Sequence, residues 1–532
     1  MRVEKGMAKA WESASQYFDN RVLRWRLLGA FACCIIAIWG LMFSICLLKG
    51  IVSFIVPFLR VGIGLQSWSW WLMVGVLQAS MGLETLAYAF SLQIHDHIVT
   101  FNSYEQYMPQ IVAATLMKLG GRLSTVEGCL VQACCLMLRY ISGVVGLEVI
   151  SGILFGTRLG GLHVSVLGFF CTVLYHTHLI FWSRDVIVFP SEIKHRWYRW
   201  RDGCDGVVQR GIPVGVVAAV GHSLGCRVVL GAPGAIGIYS SFLNILLATL
   251  LIVLWSLGDL IVDVVLTERF RVRDYDSKDA MTALQDCLNG NKGDMMRMIS
   301  LYDLSLIPSD EEKVAWRRRD IFADDSGVSW KRLASLCSDI LGGMISEIEK
   351  VHEVSKNTVK DRHGAKWNTI PTGNIKPSAV MNEAMHCLLQ LAGYHQSLVL
   401  SVRFLSDMAY VSVKEDTYGI LQLSEPRLGD IVYWIARLNL ELKHLGQWIA
   451  AGRHGTRSLR WRASGEEIYS YRRVDSVLDV VKMELAISLE NLGHQFGDLV
   501  INAVESSDMF ATCGSDIKQN IRLSVQSYIN HT

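Results

Sequence analysis

The stretch from Phe242 to Leu266, FLNILLATLLIVLWSLGDLIVDVVL, constrains this chain more than any other. About 20 apolar residues rising ~1.5 Å each span a ~30 Å hydrocarbon core, so the run is long enough to cross a bilayer as one helix. It emerges into Glu268, Arg269, Arg271 and Arg273, a cationic flank of the kind that stays on the cytosolic side. Everything before it reads as membrane, and everything after it reads as water-soluble helix. A hydrophobic fraction of 51% over 532 residues fits that division.

Taken in order, the apolar runs predict six spans: Leu27 to Leu48, Trp68 to Leu92, Cys129 to Leu154, Leu162 to Trp182, Ile212 to Gly237 and Phe242 to Leu266. Ile51 to Leu59 is too short to cross and is broken by Pro57, so it is expected in the interface. Trp68, Trp70 and Trp71 mark headgroup depth for the second span. With alternate loops, Lys and Arg concentrate in the N-terminal tail, around Lys118 and Arg122, in the loop from Ser183 to Gly211 and beyond Leu266. That bias predicts an uncleaved first span with both termini on the cytosolic or pore side.

The expected fold class is all-α: a six-span transmembrane helical bundle followed by an α-helical soluble C-terminal domain. The expected division is a tail over 1–26, the spans over 27–266, a first helical part over 267–354, a linker or long loop over 355–377 and a second helical part over 378–532. Periodic helices are predicted at Asp279 to Leu288, Met295 to Ile307, Trp330 to Val351, Met381 to Val411, Ile431 to Ile449 and Val474 to Ile501, with a weaker tail from Met509. Ser309 and Glu312 have capping-box spacing before Trp316, Arg317, Arg318, Arg319, Ile321 and Phe322.

A net charge of +2 without a basic domain argues against direct nucleic-acid binding. The 13 cysteines show no repeated pair spacing and several lie in apolar runs, which points to free thiols in a reducing compartment. Glu84, Arg139, Glu148, His163, His176, His178 and His222 fall within spans, where ionisable groups can serve an ion path; packing and snorkelling explain them more simply. Only the Gly- and Pro-interrupted fifth span resembles a transporter's broken helix. His176 and His178 with Cys171 lack a second cluster that would complete a metal site. Gly221-His222-Ser223-Leu224-Gly225 matches the nucleophile elbow of serine hydrolases, yet the parallel strands that must precede an elbow are missing; a small-residue helix face is the preferred reading, with a membrane hydrolase using Ser223 as the alternative.

The C-terminal half lacks clustered carboxylates, metal ligands and a phosphate loop, so no catalytic residue, metal or cofactor is expected there. Arg317, Arg318 and Arg319 are the candidate contact for lipid or an acidic partner, weighed against an ordinary solvated helix face. Trp316, Ile321, Phe322 and Trp330 are the candidate apolar core beneath them.

The order of a six-span block, Thr267-Glu268-Arg269-Phe270, Ser300-Leu301-Tyr302-Asp303-Leu304, Arg318-Arg319-Asp320-Ile321-Phe322 and Trp330 resembles the Ndc (nuclear division cycle) family of transmembrane nucleoporins. The likeness covers most of the chain in architecture and is residue-specific from about Thr267 to Leu341, with Asp303, Trp316, Ile321, Phe322 and Trp330 as its structural core. It implies a non-enzymatic protein of the nuclear pore membrane that anchors the pore scaffold and acts in pore insertion. It also implies three partners: nuclear envelope lipid, the WD-repeat nucleoporin ALADIN, and the inner-ring nucleoporin with an RRM-like fold.

Overall fold

The structure, a computed structural model, describes residues 22–36, 68–92, 126–155, 161–181, 186–190, 194–230, 238–271, 280–289, 295–309, 315–324, 326–364, 378–456 and 466–530. Helix is the regular structure throughout, with no strand among the described residues. The chain divides into two compact units at Glu268 and Arg269.

The unit ending at Glu268 contains α1 (residues 24–36), α2 (Trp68–Ser91), α3 (Val126–Phe155), α4 (Gly161–Phe181), α5 (Arg196–Leu230) and α6 (Ile238–Leu266). Among the described residues, four stretches are long and apolar enough to cross a membrane: Cys129–Gly152, Gly161–Ile180, Arg196–Cys226 and Ser240–Leu266. The second expected span coincides with α2, and the first lies largely outside the described residues, as does the expected interfacial segment from Ile51 to Leu59.

Neighbours in sequence pack as neighbours in space, α2 on α3, α3 on α4, α4 on α5 and α5 on α6. The α5/α6 contact is built on Gly211 and Gly215, one turn apart on α5. A Cβ added to Gly215 would stand 2.6 Å from the Thr249 Cα, so only glycine lets the two backbones approach this closely.

The fifth expected span is corrected at its start. Helix α5 begins at Arg196, inside the stretch expected to be a loop, and continues unbroken through Pro213. The early turns are held by the exit of α6: Arg199 Nη1 donates to the Val264 carbonyl at 3.2 Å and its other terminal nitrogen bonds the Thr267 hydroxyl. Arg26 Nη1 donates to the Leu266 carbonyl at 3.0 Å. The last carbonyls of a helix have no partner within it, and cations at that end oppose its negative pole. Arg26 and Arg199 therefore cap the end of α6.

The unit from Arg269 contains α7 (Ala280–Leu288), α8 (Met295–Ser305), α9 (Trp316–Ala323), α10 (Val328–Gly364), α11 (Ser378–Glu415), α12 (Ile420–Leu423), α13 (Leu428–Thr456), α14 (Glu466–Phe496), α15 (Leu499–Glu505), α16 (Asp508–Thr512) and α17 (Ser515–Asn530). Helix α10 packs on α11 and α13, and both of those pack on α14. The core along these contacts is apolar, with Trp330, Leu341, Ile348, Phe404, Leu405, Ile431, Leu442 and Leu485 withdrawn from solvent.

Helix α10 runs to Gly364, through the first ten residues of the stretch expected as linker; 365–377 lies outside the described residues. No Gly or Pro interrupts 352–363, so helix propagates until the first glycine. The expected helix from Val474 to Ile501 is two helices, because Gly497 takes φ +53° between α14 and α15.

Candidate functional site

Asp303 is the centre of the first constellation in the C-terminal unit. It lies on α8 with no solvent exposure, where an ionised carboxylate must be paired. Arg317 supplies two bonds, Nη1 to Oδ2 at 2.6 Å and Nη2 to Oδ1 at 2.9 Å, and Arg269 Nε adds a third to Oδ1 at 3.0 Å. The planar guanidinium fork matches the two carboxylate oxygens, which is why arginine serves here.

Arg318 is buried in a different direction. Its Nε and Nη2 hold Glu415 at 2.7 and 2.6 Å, and Nη1 donates to the Pro308 carbonyl at 2.6 Å. Arg319 alone of the three is exposed. The expected outward-facing run from Arg317 to Arg319 is thereby corrected: successive helical residues turn by ~100°, so three of them spread over ~200° and cannot share a solvent face on a packed helix. Two of these arginines are interior struts.

Of the expected apolar core, Ile321, Phe322 and Trp330 are buried and Trp316 is half-buried. Trp330 packs against Phe404 of α11, with ring centroids 6.1 Å apart, and donates its indole N–H to the Pro426 carbonyl at 3.1 Å. The expected capping box does not start α9: its N-cap is Ala315, without a side-chain cap, and the Ser309 hydroxyl donates to the Leu306 carbonyl instead. Glu312 lies outside the described residues.

In the other unit, sequence-distant ionisable groups meet. Arg139 of α3 bonds Glu84 of α2 through Nε at 2.6 Å, lies 3.6 Å from Asp259 of α6, and has His176 Nδ1 of α4 at 3.2 Å. Tyr175 donates to Asp259 at 2.7 Å. This network pairs Arg139 with two carboxylates inside apolar helices and joins four of them. Glu148 has no part in those bonds; its backbone carbonyl accepts from Ser151.

Ser223 sits within α5, its hydroxyl donating to the Ala219 carbonyl at 2.9 Å. A continuous helix offers no strand-to-helix elbow, so the expected hydrolase alternative loses its geometry.

His176, His178 and Cys171 are not drawn into a metal-sized group among the described residues, but two other sets are. His163, His222 and Cys226 form one, with Asn244 between the histidines; His222 lies 3.3 Å from the Cys226 sulfur. His352, Glu441 and His444 form the other, between α10 and α13. The sequence reading passed over the second set, although Glu349-Lys350-Val351-His352 and Glu441-Leu442-Lys443-His444 repeat one Glu-x-x-His spacing.

Several titratable groups of the same unit are displaced, Asp407 among them. Burial pushes the Asp407 carboxyl up to about 6; Arg403 opposes that and Glu484 adds to it.

The family model described as nucleoporin protein Ndc1-Nup matches residues 232–383, which supports the Ndc family of transmembrane nucleoporins for this chain. The matched residues run from α6 into the start of α11 and contain Asp303, Trp316, Arg317, Arg318, Arg319, Ile321, Phe322 and Trp330. Over that stretch the chain is similar to nucleoporins of this family, and its apolar helices are compatible with membrane anchoring. No curated protein matches the chain.

Proposed function

We propose that this protein anchors the nuclear pore scaffold to the nuclear envelope and supports pore assembly, without catalysing a reaction. The observation that carries the reading is the continuity of the family match, residues 232–383, from a membrane-length helix into the ion-paired helices of the C-terminal unit. An anchor needs a part that stays in lipid and a part shaped by packing to meet other proteins. Six spans with both termini on the cytosolic or pore side would serve it, in keeping with the loop-charge bias.

Other nucleoporins are the proposed partners, with ALADIN and the inner-ring nucleoporin of RRM-like fold as the specific candidates. The exposure of Arg319 supports it, within the arginine run, as the proposed contact for a partner or lipid. By keeping pores assembled, the protein would support protein and mRNA transport indirectly. A fluorescent fusion expressed at native level tests the reading. A punctate nuclear rim supports it, whereas reticular endoplasmic reticulum or plasma membrane overturns it.

A further inference from the structure

We propose that His352, Glu441 and His444 form a binding site for one divalent transition-metal ion of the zinc class, which fastens α10 to α13. Their ligand atoms all lie within 4.8 Å of one another. Metal–ligand bonds of about 2.0–2.2 Å place ligand atoms roughly 3.3 Å apart in a tetrahedral site, so modest side-chain rotation closes the set. Two imidazoles and one carboxylate, with a position left for water, are a familiar donor set for such ions.

The helices supply the geometry. Residues three apart lie on one helix face, so Glu441 and His444 present their donors together from α13. His352 comes from α10 opposite them, its Nε2 already 2.6 Å from Glu441 Oε2, and its ring 5.7 Å from that of His444. Glu441 is buried, while His352 keeps 23% of its side chain exposed, which gives an ion a way in.

Arg437 explains why the site takes one ion although the Glu-x-x-His spacing occurs on both helices. Paired motifs of this kind on facing helices hold two metals in carboxylate-bridged proteins. Here Arg437 Nη2 reaches Glu441 Oε1 at 2.8 Å and Glu349 Oε1 at 3.0 Å, so a fixed cation occupies the place of the second metal. Glu441 Oε2 is left for the first. The arginine also neutralises Glu349, which lies at the surface.

The test uses the full chain in detergent, stripped with a chelator and titrated with Zn2+ against a chromophoric competitor, and separately with Co2+. The wild type is expected to take up one equivalent with tetrahedral or five-coordinate Co2+ absorption and a raised melting temperature. H444Q and H352Q should each weaken uptake by at least about tenfold and lose both signatures, while H163Q/C226S, which alters the other histidine set, should keep them. His444 is only partly buried, so H444Q keeps the test readable if H352Q fails to fold; equal melting of metal-free H444Q and metal-free wild type verifies that. Absence of uptake by the wild type, or uptake unchanged in H444Q, overturns the proposal and leaves an ordinary ion pair. Uptake abolished by H163Q/C226S but not by H444Q overturns it as well.

Discussion

Arg317 grips Asp303 with two parallel hydrogen bonds, at 2.6 and 2.9 Å, with both side chains out of water. The pair joins α8 to α9 inside the matched segment. Removing one partner leaves the other charge underpaired in the interior, Asp303 keeping its bond to Arg269, at a cost of up to about 3–5 kcal/mol. Arg317→Ala and Asp303→Ala should therefore each lower the melting temperature of the detergent-solubilised chain clearly, and Arg319→Ala should change stability by no more than about 0.5 kcal/mol. Equal effects at 317 and 319 would contradict the burial assigned to Arg317.

Trp330 makes two separable contributions. Trp330→Ala empties a fully buried ring site and should cost about 3–5 kcal/mol. Trp330→Phe keeps most of the packing on Phe404 but leaves the Pro426 carbonyl without its donor, so a smaller loss of about 1–3 kcal/mol is expected. Denaturant unfolding of the pair distinguishes packing from hydrogen bonding.

Gly215 sets how near α5 lies to α6. Gly215→Val puts carbon atoms where the Thr249 backbone stands and should weaken the membrane unit more than Gly29→Val, where an added Cβ meets nothing within 4 Å. Thermal aggregation of the solubilised chain is the readout. A null result at Gly215 would mean that the two helices separate freely.

Asp407 gives a pH dependence with a definite sign. Its folded-state pKa, about 6, lies above the ordinary 3.8, so the folded chain binds this proton more tightly. The associated stability is fully present below about pH 4 and is lost as pH rises through 6, a penalty on the order of 3 kcal/mol for the ionised form. Asp407→Asn should raise stability at pH 7.5, and its advantage should vanish toward pH 4. Melts across that range check it; an advantage independent of pH would point to shape rather than charge.

The proposed six-span topology predicts that tags at both termini of the chain are cleaved by protease on sealed microsomes without detergent, as is the segment 183–195. A protected C-terminus would remove the arrangement with six spans.

Much of the helical plan is legible along the chain, because crossing a bilayer or presenting an apolar stripe is a property of consecutive residues. Phe242 to Leu266 announces itself by length, and the apolar period from Trp330 to Val351 marks α10. Gly364 and Gly497 show where local breakers stand at helix ends.

Tertiary structure decided the partners. Arg317, Arg318 and Arg319 are alike in sequence, yet one faces Asp303, one faces Glu415 and one faces solvent, since helical rotation sends neighbours to different surroundings. Glu84, Arg139, His176 and Asp259 come from four helices, and His352 meets Glu441 across 89 residues. Electrostatic pairing depends on distances of a few ångströms between side chains, and those distances exist only after the helices have buried their apolar faces against one another.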